Sequence, residues 1–242
     1  MSPFGSLFLL LVLSEVTAGL LRQYIYNSQY MNWSDAQKYC RRTYKDLASI
    51  TSEHEFQRAV QSGPSWIGLK RNESNPETWQ WSGGEPANFF KWEQARYKRD
   101  DLYQASSDCV KMDTYGWTSD DCSDLSPSVC YRIVIFININ LTWEDAHNYC
   151  RMHYTDLFHP FSVTNPSAIE SEGAKSSTDS VWTGLRFLNR KWFFLNVEEL
   201  EPPKSLSSCP TQNYYCGARN IKTHVWENRR CNDKLSFICY WW

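Results

Sequence analysis

The 242-residue sequence has almost no net charge. Lys and Arg number 25 against 27 Asp and Glu, which gives a formal charge of −2, and Glu15 is the only charged residue among the first 18. A nearly neutral chain has no global electrostatic attraction for nucleic acid or for a membrane surface. We therefore expect neither of these as a partner.

The sequence also lacks the short motifs of common enzymes. It contains no Gly-x-Ser-x-Gly, no phosphate-binding loop and no Cys-x-x-Cys. Its histidines show no pair at metal-binding spacing on one helix face, and no nucleophile stands beside a base. They are His54, His147, His153, His159 and His224. We expect no catalytic residue, no metal and no bound cofactor.

Long hydrophobic runs are absent except at the start of the chain. An apolar run extends from Leu7 to Leu13, and small residues follow at Val16-Thr17-Ala18. This layout is typical of a secretory signal peptide over residues 1–18, although the basic start is missing. A membrane anchor is the alternative, but it needs about 20 apolar residues. We predict a secreted, extracellular protein, unless the sequence is a fragment of a longer membrane receptor.

An internal repeat is present. The segment Trp33–Leu47 returns 110 residues later as Trp143–Leu157 with nine of fifteen positions identical. A period of this length corresponds to one whole domain rather than to a solenoid unit. The repeat predicts two domains, at residues 19–131 and 132–242, after the signal peptide.

Nine cysteines in an exported chain indicate a disulfide framework. Four cysteines in each repeat allow three pairings. Cys40 is predicted to lie on a helix that begins after Asn32, and a bridge to the final strand at Cys130 would join the two ends of the domain. Cys109 and Cys122 would then close a short hairpin-like segment.

Both repeats resemble C-type lectin-like domains over nearly the whole mature chain. The motifs that carry the resemblance are Tyr39-Cys40, Trp66-Ile67-Gly68-Leu69, Trp79-Gln80-Trp81, Trp117 to Cys122, Trp182-Thr183-Gly184-Leu185, Cys216-Gly217-Ala218 and Trp226. The resemblance implies an α+β fold in each domain, with two helices, small antiparallel sheets and a long irregular loop. It also implies the disulfides Cys40–Cys130, Cys109–Cys122, Cys150–Cys239 and Cys216–Cys231.

Sugar-binding members of this family resemble one another at a calcium site, and the first domain departs from that pattern. The site uses a Glu-Pro-Asn or Gln-Pro-Asp triplet in the long loop and a Trp-Asn-Asp triplet before a cysteine, because Ca²⁺ needs six to eight oxygen ligands. The first domain has Trp117-Thr118-Ser119 at the second position and Arg96-Tyr97-Lys98 at the first. Cations at a cation site oppose binding, so we expect no metal here. Glu85-Pro86 stands too early in the sequence and is interpreted as an ordinary turn.

The second domain is more ambiguous. Trp226-Glu227-Asn228 retains two oxygen-bearing side chains, and Glu201-Pro202-Pro203 carries a Glu-Pro pair in the long loop. Proline at the third position has no side-chain oxygen, and Arg229-Arg230 follow Asn228. Glu201, Glu227 and Asn228 remain candidate ligand-binding residues, but a degenerate calcium site would have too few ligands.

A basic cluster marks the long loop of the first domain. Its members are Lys91, Arg96, Lys98 and Arg99. Charge runs are usually solvated faces; the alternative is that this cluster binds sulfated or sialylated glycans or an acidic protein surface. The resulting hypothesis is a calcium-independent recognition protein that binds glycan or protein ligands. The alternatives are a calcium-dependent lectin acting through the second domain and a disulfide-linked structural or inhibitory scaffold.

Two further features predict covalent modification. Glycosylation sequons occur at Asn32, Asn72 and Asn140, of which Asn72 in a polar turn is the best candidate and Asn32 competes with its capping role. Cys209 remains after four pairs are assigned. It is predicted to be free or to form an intermolecular disulfide in a dimer, while an alternative pairing with Cys231 is disfavoured.

Overall fold

The computed structural model describes residues 20–93, 107–159, 176–195, 203 and 206–241. The chain divides into two compact units, Arg22–Arg132 and Ile133–Trp241, and Leu21 groups with the second. Each unit contains one copy of the repeat. No helix within the described ranges is long and apolar enough to cross a membrane.

The two copies of the repeat begin with the same capped helix. Helix α1 (Trp33–Thr43) starts where the Asn32 side chain accepts a hydrogen bond from the Asp35 amide at 2.9 Å. Helix α3 (Trp143–His153) starts in the same way at Thr142, whose hydroxyl accepts from the Asp145 amide at 3.2 Å. These bonds satisfy amides that a helix cannot pair internally, which fixes where each helix begins.

Each helix buries one narrow face. Trp33, Ala36 and Cys40 are the buried residues of α1, and their counterparts Trp143, Ala146 and Cys150 are those of α3. The Trp33 indole donates to the Ile67 carbonyl at 2.8 Å, and the Trp143 indole donates to the Thr183 carbonyl at 2.9 Å. The apolar spacing therefore places each helix against the strand that carries the Trp-x-Gly-Leu motif.

The first unit contains one more helix and a sheet built on that strand. Besides α1, the elements are β1 (Leu20–Met31), β2 (Asp46–Leu47), α2 (Glu53–Ala59), β3 (Ser65–Asn72), β4 (Asn75–Trp81), β5 (Cys109–Asp113), β6 (Gly116–Asp120) and the start of β7 (Ser126–Leu141). Strand β1 begins two residues before the first residue of the unit, Arg22. Strand β3 pairs antiparallel with β4 and β5, and β5 pairs antiparallel with β6. Trp66 of β3 pairs in parallel with Ser128 of β7. The first three pairs are antiparallel, as the resemblance implies, and the Trp66–Ser128 pair adds one parallel contact.

The glycine of the Trp-x-Gly-Leu motif is required by close backbone packing. A Cβ atom on Gly68 would lie 2.7 Å from the Ser82 hydroxyl and 3.0 Å from the Leu47 carbonyl. The Gly68 amide donates to the Ala48 carbonyl at 2.9 Å. Gly184 of the second repeat is packed in the same way: a Cβ atom on it would lie 3.0 Å from the Leu157 carbonyl. A side chain at either position would push the neighbouring segment away from the strand.

The second unit repeats this arrangement. It contains the remainder of β7, α3, β8 (Asp156–Leu157), β9 (Ser180–Leu188), β10 (Lys191–Phe194), β11 (Cys216–Asn220), β12 (Trp226–Arg229) and β13 (Leu235–Trp241). Strand β9 pairs antiparallel with β10 and β11, and β11 pairs with β12. β9 pairs in parallel with β13 through Val181 and Trp182. Among the residues described, this unit has one helix; a second one was predicted, and residues 160–175 lie outside the described part.

The tryptophans of the motif are core residues in both units. Trp66 and Trp182 are fully buried. Their indoles donate to the Met31 and Leu141 carbonyls, each at 2.9 Å. A buried indole needs such an acceptor, so these side chains help to fix the ends of β1 and β7 against the sheet of the same unit.

Four disulfides stabilise the two units. They join Cys40 to Cys130, Cys109 to Cys122, Cys150 to Cys239 and Cys216 to Cys231. These are the pairs that the resemblance implies. Cys209 is free and exposed. Cys231 is thus paired with Cys216, and the alternative pairing with Cys209 is absent.

Candidate recognition site

Strand β12 of the second unit carries the carboxylate that sequence analysis proposed as a ligand. Oε2 of Glu227 accepts hydrogen bonds from the Ser180 hydroxyl and from Nε of Arg229, each at 2.8 Å. Its Oε1 accepts from Nδ2 of Asn220 at 3.0 Å. Glu227 and Arg229 point to the same face because they lie two positions apart in a strand.

These contacts decide the charge state of Glu227. Partial burial by itself would raise its pKa, but the hydrogen bonds from Ser180, Arg229 and Asn220 and the charge of Arg229 bring the pKa below the usual value. The carboxylate is therefore ionised at neutral pH and its charge is balanced within the chain. Arg229 supplies the positive charge that a cation would supply in a metal site.

The other candidates of the second domain do not join Glu227. Asn228 is half-buried and lies opposite Gly217 in the pairing of β11 with β12. Since neighbouring side chains in a strand point to opposite faces, Asn228 and Glu227 are directed apart. Glu201 lies outside the described residues. The structure therefore brings together Glu227, Arg229, Ser180 and Asn220, of which the sequence had indicated only the first.

The corresponding strand of the first unit also pairs its charges internally. On β6, Trp117 is buried and is followed by Thr118 and Ser119. Nζ of Lys111 lies 2.8 Å from Oδ2 of Asp120 and 3.5 Å from Oδ2 of Asp124, and 4.5 Å from the centre of the Trp66 ring. The carboxylates nearest this strand therefore already have a buried ammonium partner.

Glu85-Pro86 closely follows the turn at Ser82-Gly83, and Glu85 has a structural role. Glu85 accepts from the Tyr131 hydroxyl at 2.8 Å and from the Ser49 hydroxyl at 3.0 Å, and Arg22 lies 3.3 Å away. Burial would raise the pKa of Glu85, but these hydrogen bonds lower it below the usual value. The carboxylate ties the turn to three other segments of its unit and is engaged on both oxygens.

Lys91 is the one member of the basic cluster within the described residues. Its Nζ lies 2.8 Å from both carboxylate oxygens of Glu53 and 5.1 Å from the centre of the Phe56 ring. The hydrogen bond from Lys91 lowers the pKa of Glu53. Lys91 is therefore a locally neutralised charge, whereas Arg96, Lys98 and Arg99 fall in residues 94–106, outside the described part.

An aromatic surface beside this loop was missed by the sequence analysis. We define it as Trp79, Phe90 and Trp92: the rings of Trp79 and Trp92 are 5.0 Å apart, and those of Phe90 and Trp92 are stacked at 6.0 Å. Phe90 is 41% exposed, and both tryptophans are half-buried. Arg71 lies 4.5 Å from the centre of the Trp79 ring. The signal in the sequence was Trp79-Gln80-Trp81: two tryptophans two positions apart lie on the same face of β4, where Trp81 is buried and Trp79 is half-buried.

No metal cluster is found in the part of the chain that the structure describes. Within those residues, no group of three or more His, Cys, Asp or Glu side chains could hold an ion. Calcium needs six to eight oxygen ligands. Glu227 and Asp120, the carboxylates nearest the two candidate positions, are each paired with a basic side chain of the same unit.

The chain is similar to a known domain family. A family model described as "Lectin C-type domain" matches residues 29–132 and again residues 139–241. Lymphocyte antigen 75 of Homo sapiens is 23% identical over 263 residues, covering 89% of this chain and 15% of that protein. The secretory phospholipase A2 receptor of Homo sapiens is 26% identical over 256 residues, covering 86% of this chain and 17% of that protein. This chain thus spans less than a fifth of the length of these relatives.

Solved structures also match single units. A herring type II antifreeze protein is 27% identical, with a TM-score of 0.40, and covers 46% of this chain and 89% of its own. The carbohydrate-recognition domain of the mouse scavenger receptor C-type lectin is 21% identical, with a TM-score of 0.40, and covers 46% of this chain and 88% of its own.

Proposed function

The chain belongs to the C-type lectin domain family and carries two such domains, and we propose that it is a secreted recognition protein that binds glycan or protein ligands through its long loops without calcium. The observation that carries the proposal is the pairing of Glu227 with Arg229 at 2.8 Å. A carboxylate that already accepts bonds from a guanidinium, a hydroxyl and an amide has little to offer a metal ion.

The first domain supports the same proposal by a different route. Thr118 and Ser119 replace the amide and carboxylate side chains of the family's calcium motif, and the nearby Asp120 is held by Lys111 at 2.8 Å. Each domain therefore balances its charge with a basic side chain of its own.

Calcium dependence is tested directly by thermal unfolding of the full chain in millimolar Ca²⁺ and in a chelator. We expect the same melting temperature in both, because an ion that binds the folded state must stabilise it. A glycan array probed with and without the chelator is the matching functional assay. A calcium-dependent rise in melting temperature together with chelator-sensitive sugar binding would favour the alternative, a calcium-dependent lectin acting through the second domain.

The ligand class is proposed from the basic cluster of the first domain. Three cations in one long loop can attract a sulfated or sialylated glycan or an acidic protein surface, and this attraction weakens as salt rises. We expect retention on a heparin column that is reduced by Arg96→Ala with Lys98→Ala. Lys91→Ala is the matched control, because Glu53 already neutralises Lys91. Flow-through of the wild-type chain at low salt, or equal loss in the control, would contradict the proposal.

The aromatic surface beside the same loop is proposed to contribute ligand contacts. Partly exposed aromatic rings provide large contact area at low entropic cost and accept the apolar face of a sugar or an aromatic side chain. Phe90→Ala should weaken binding to whichever probe the glycan array identifies. Tyr115→Ala removes an even more exposed ring, at 78%, outside the aromatic surface and serves as control.

Secretion and dimerisation complete the proposed function. The apolar run before residue 18 supports export with cleavage of a signal peptide, and an exported chain with N-glycosylation sequons is expected to be a glycoprotein. Cys209 is exposed and unpaired, which supports an intermolecular disulfide. The sequence contains none of the enzyme motifs considered above, and we propose that the chain is not an enzyme.

A further inference from the structure

The disulfide Cys216–Cys231 of the second unit has a basic side chain as its neighbour. The guanidinium of Arg186 donates through Nη1 to Sγ of Cys216 and to Sγ of Cys231, the latter at 2.9 Å. A positive charge therefore lies against both sulfur atoms of one bridge. Cys216 is fully buried, whereas Cys231 is half-buried.

Arg186 is held in this place by the surrounding sheet and helix. It pairs directly with Cys216 in the register of β9 with β11, and its guanidinium lies 4.7 Å from the centre of the Trp143 ring. Nη2 of Arg186 lies 3.6 Å from Oε1 of Glu144, whose side chain is 72% exposed. An ion pair with such an exposed partner contributes little to stability. The charge of Arg186 therefore remains directed at the sulfurs.

The first unit provides an internal comparison. Lys70 follows the Trp-x-Gly-Leu motif as Arg186 does, but its Nζ lies 2.7 Å from Glu73, an exposed carboxylate. The bridge Cys109–Cys122 has a similar short spacing, 13 residues against 15, and the same burial pattern, with one fully buried and one half-buried cysteine. The two short bridges therefore differ in their basic neighbour: Arg186 contacts the sulfurs of Cys216–Cys231, whereas Lys70 is paired with Glu73.

We infer that the Cys216–Cys231 disulfide is a site of exchange with a small thiol such as glutathione. The thiol first gives its proton to solvent, and its thiolate attacks Sγ of the more accessible Cys231. A new sulfur–sulfur bond forms to Cys231, the bond to Cys216 breaks, and Cys216 leaves as a thiolate held by Nη1 of Arg186. The atoms and electrons balance without any other oxidant or reductant.

The physical reason is that negative charge develops on the sulfurs during exchange. A leaving thiol with a lower pKa departs faster, and an adjacent arginine lowers the pKa of a cysteine. Arg186 contacts both protein sulfurs over which the charge of the transition state is spread. The inference is independent of the ligand proposed above, since it concerns the bridge at the base of β11 and not the loops.

Limited thiol exchange on the full chain tests this inference. The folded protein, in a Cys209→Ser background that removes the internal thiol, is incubated with reduced glutathione, quenched by alkylation and mapped by peptide mass spectrometry. We expect adducts at Cys231 with alkylated Cys216 to accumulate before any modification of Cys109 and Cys122. Arg186→Met should slow exchange at Cys231 on the order of tenfold, the effect of losing one charged hydrogen bond.

Two controls keep the result decisive. Arg186→Lys retains a cation and should exchange faster than Arg186→Met, and the bridge Cys109–Cys122 should react equally slowly in all variants. Equal rates at the two short bridges in the Cys209→Ser parent would overturn the inference, even if Arg186→Met failed to fold. An unchanged rate in a folded Arg186→Met variant would overturn it as well.

Discussion

At the scale of single residues, each domain pairs a carboxylate of one strand, β6 or β12, with a basic side chain. Arg229 pairs with Glu227 in the second domain, and Lys111 pairs with Asp120 in the first. The basic residues come from different strands in the two domains. The outcome is the same in each: a carboxylate near the motif tryptophan is balanced within its own sheet.

Glu227→Gln tests this balance through its pH dependence. The substitution keeps the shape of the side chain and removes the charge, and we expect a loss of about 1 kcal/mol in unfolding free energy at pH 7. The folded pKa of Glu227 lies below its usual value, so the folded state binds fewer protons than the unfolded state. The contribution is present above the unfolded pKa and is lost as pH falls through the folded pKa.

Urea unfolding of both proteins at pH 7 and at successively lower pH provides the measurement. The difference between them should shrink as pH falls below about 4, where free glutamate takes up a proton. A difference that stays constant down to pH 3 would show that the charge of Glu227 has no part in it.

Side-chain hydrogen bonds also discriminate among the three sequons. Nδ2 of Asn32, the atom to which a glycan is attached, donates to Asp35 at 2.9 Å. In the other two sequons, only the carboxamide oxygen of the asparagine is hydrogen-bonded. Oδ1 of Asn72 accepts from the Ser74 amide at 2.9 Å, and Oδ1 of Asn140 accepts from the Ser236 hydroxyl at 3.1 Å. We predict glycans at Asn72 and Asn140 and none at Asn32.

Mass analysis of protein secreted from a eukaryotic host, before and after glycosidase treatment, checks this prediction. Asn72→Gln and Asn140→Gln should each remove one glycan, whereas Ser34→Ala, which deletes the third sequon and leaves the cap intact, should leave the mass of attached sugar unchanged. Loss of a glycan in Ser34→Ala would contradict the blocking role of the cap.

At the scale of elements, short helices depend on their first turn. Helix α2 has only seven residues and begins at Ser52, whose hydroxyl accepts from the Glu55 amide at 3.2 Å. Glu55 in turn pairs with Arg22 at 2.9 Å and accepts from the Thr51 amide at 2.7 Å. The cap therefore fixes both the start of α2 and its contact with β1, since an isolated helix of this length is unstable in water.

Ser52→Ala should lower the unfolding free energy by about 1 kcal/mol, the usual effect of losing a capping hydroxyl. Ser62→Ala changes an exposed serine after the same helix and should stay within about 0.5 kcal/mol of wild type. Denaturant unfolding of the three proteins compares them. Equal stability of Ser52→Ala and Ser62→Ala would mean that the cap does not stabilise α2.

At the scale of the whole molecule, the unpaired cysteine is the basis of the proposed dimer. Cys209 is exposed in the second unit, and the other eight cysteines are consumed in pairs. In a secreted protein, a leftover cysteine suggests either an intermolecular disulfide or a free reactive thiol. A second copy of the chain joined through Cys209 is the partner that needs no further component.

Non-reducing electrophoresis of the secreted protein should show a species of twice the chain mass. Reductant and Cys209→Ser should both convert this species to the monomer. Ser208→Cys in the Cys209→Ser background tests whether a neighbouring thiol can replace Cys209 in the intermolecular disulfide. A monomer with one titratable thiol would refute the dimer, and a larger adduct of unequal mass would indicate a different partner chain.

The repeated segment, the helix starts and the cysteine positions were all readable in the sequence, because each depends on local spacing. The same is true of the family: the resemblance stated from Trp66 to Leu69 and Trp182 to Leu185 is confirmed by the two matches of the lectin domain model. Trp66 and Trp182 belong to runs of consecutive buried residues, Ser65–Leu69 and Ser180–Leu185, which is the pattern of strands covered on both faces.

The partners of the polar side chains, in contrast, were decided only by the tertiary structure. The sequence placed Arg229 beside Glu227 but could not bring Ser180 from β9 or Asn220 from β11 to the same carboxylate, since those positions are 47 and 7 residues away. It assigned Lys91 to a basic cluster, whereas folding pairs it with Glu53, 38 residues earlier. Local patterns determine which face of an element is apolar, but the partner of a charge depends on which distant strands and helices the fold brings together.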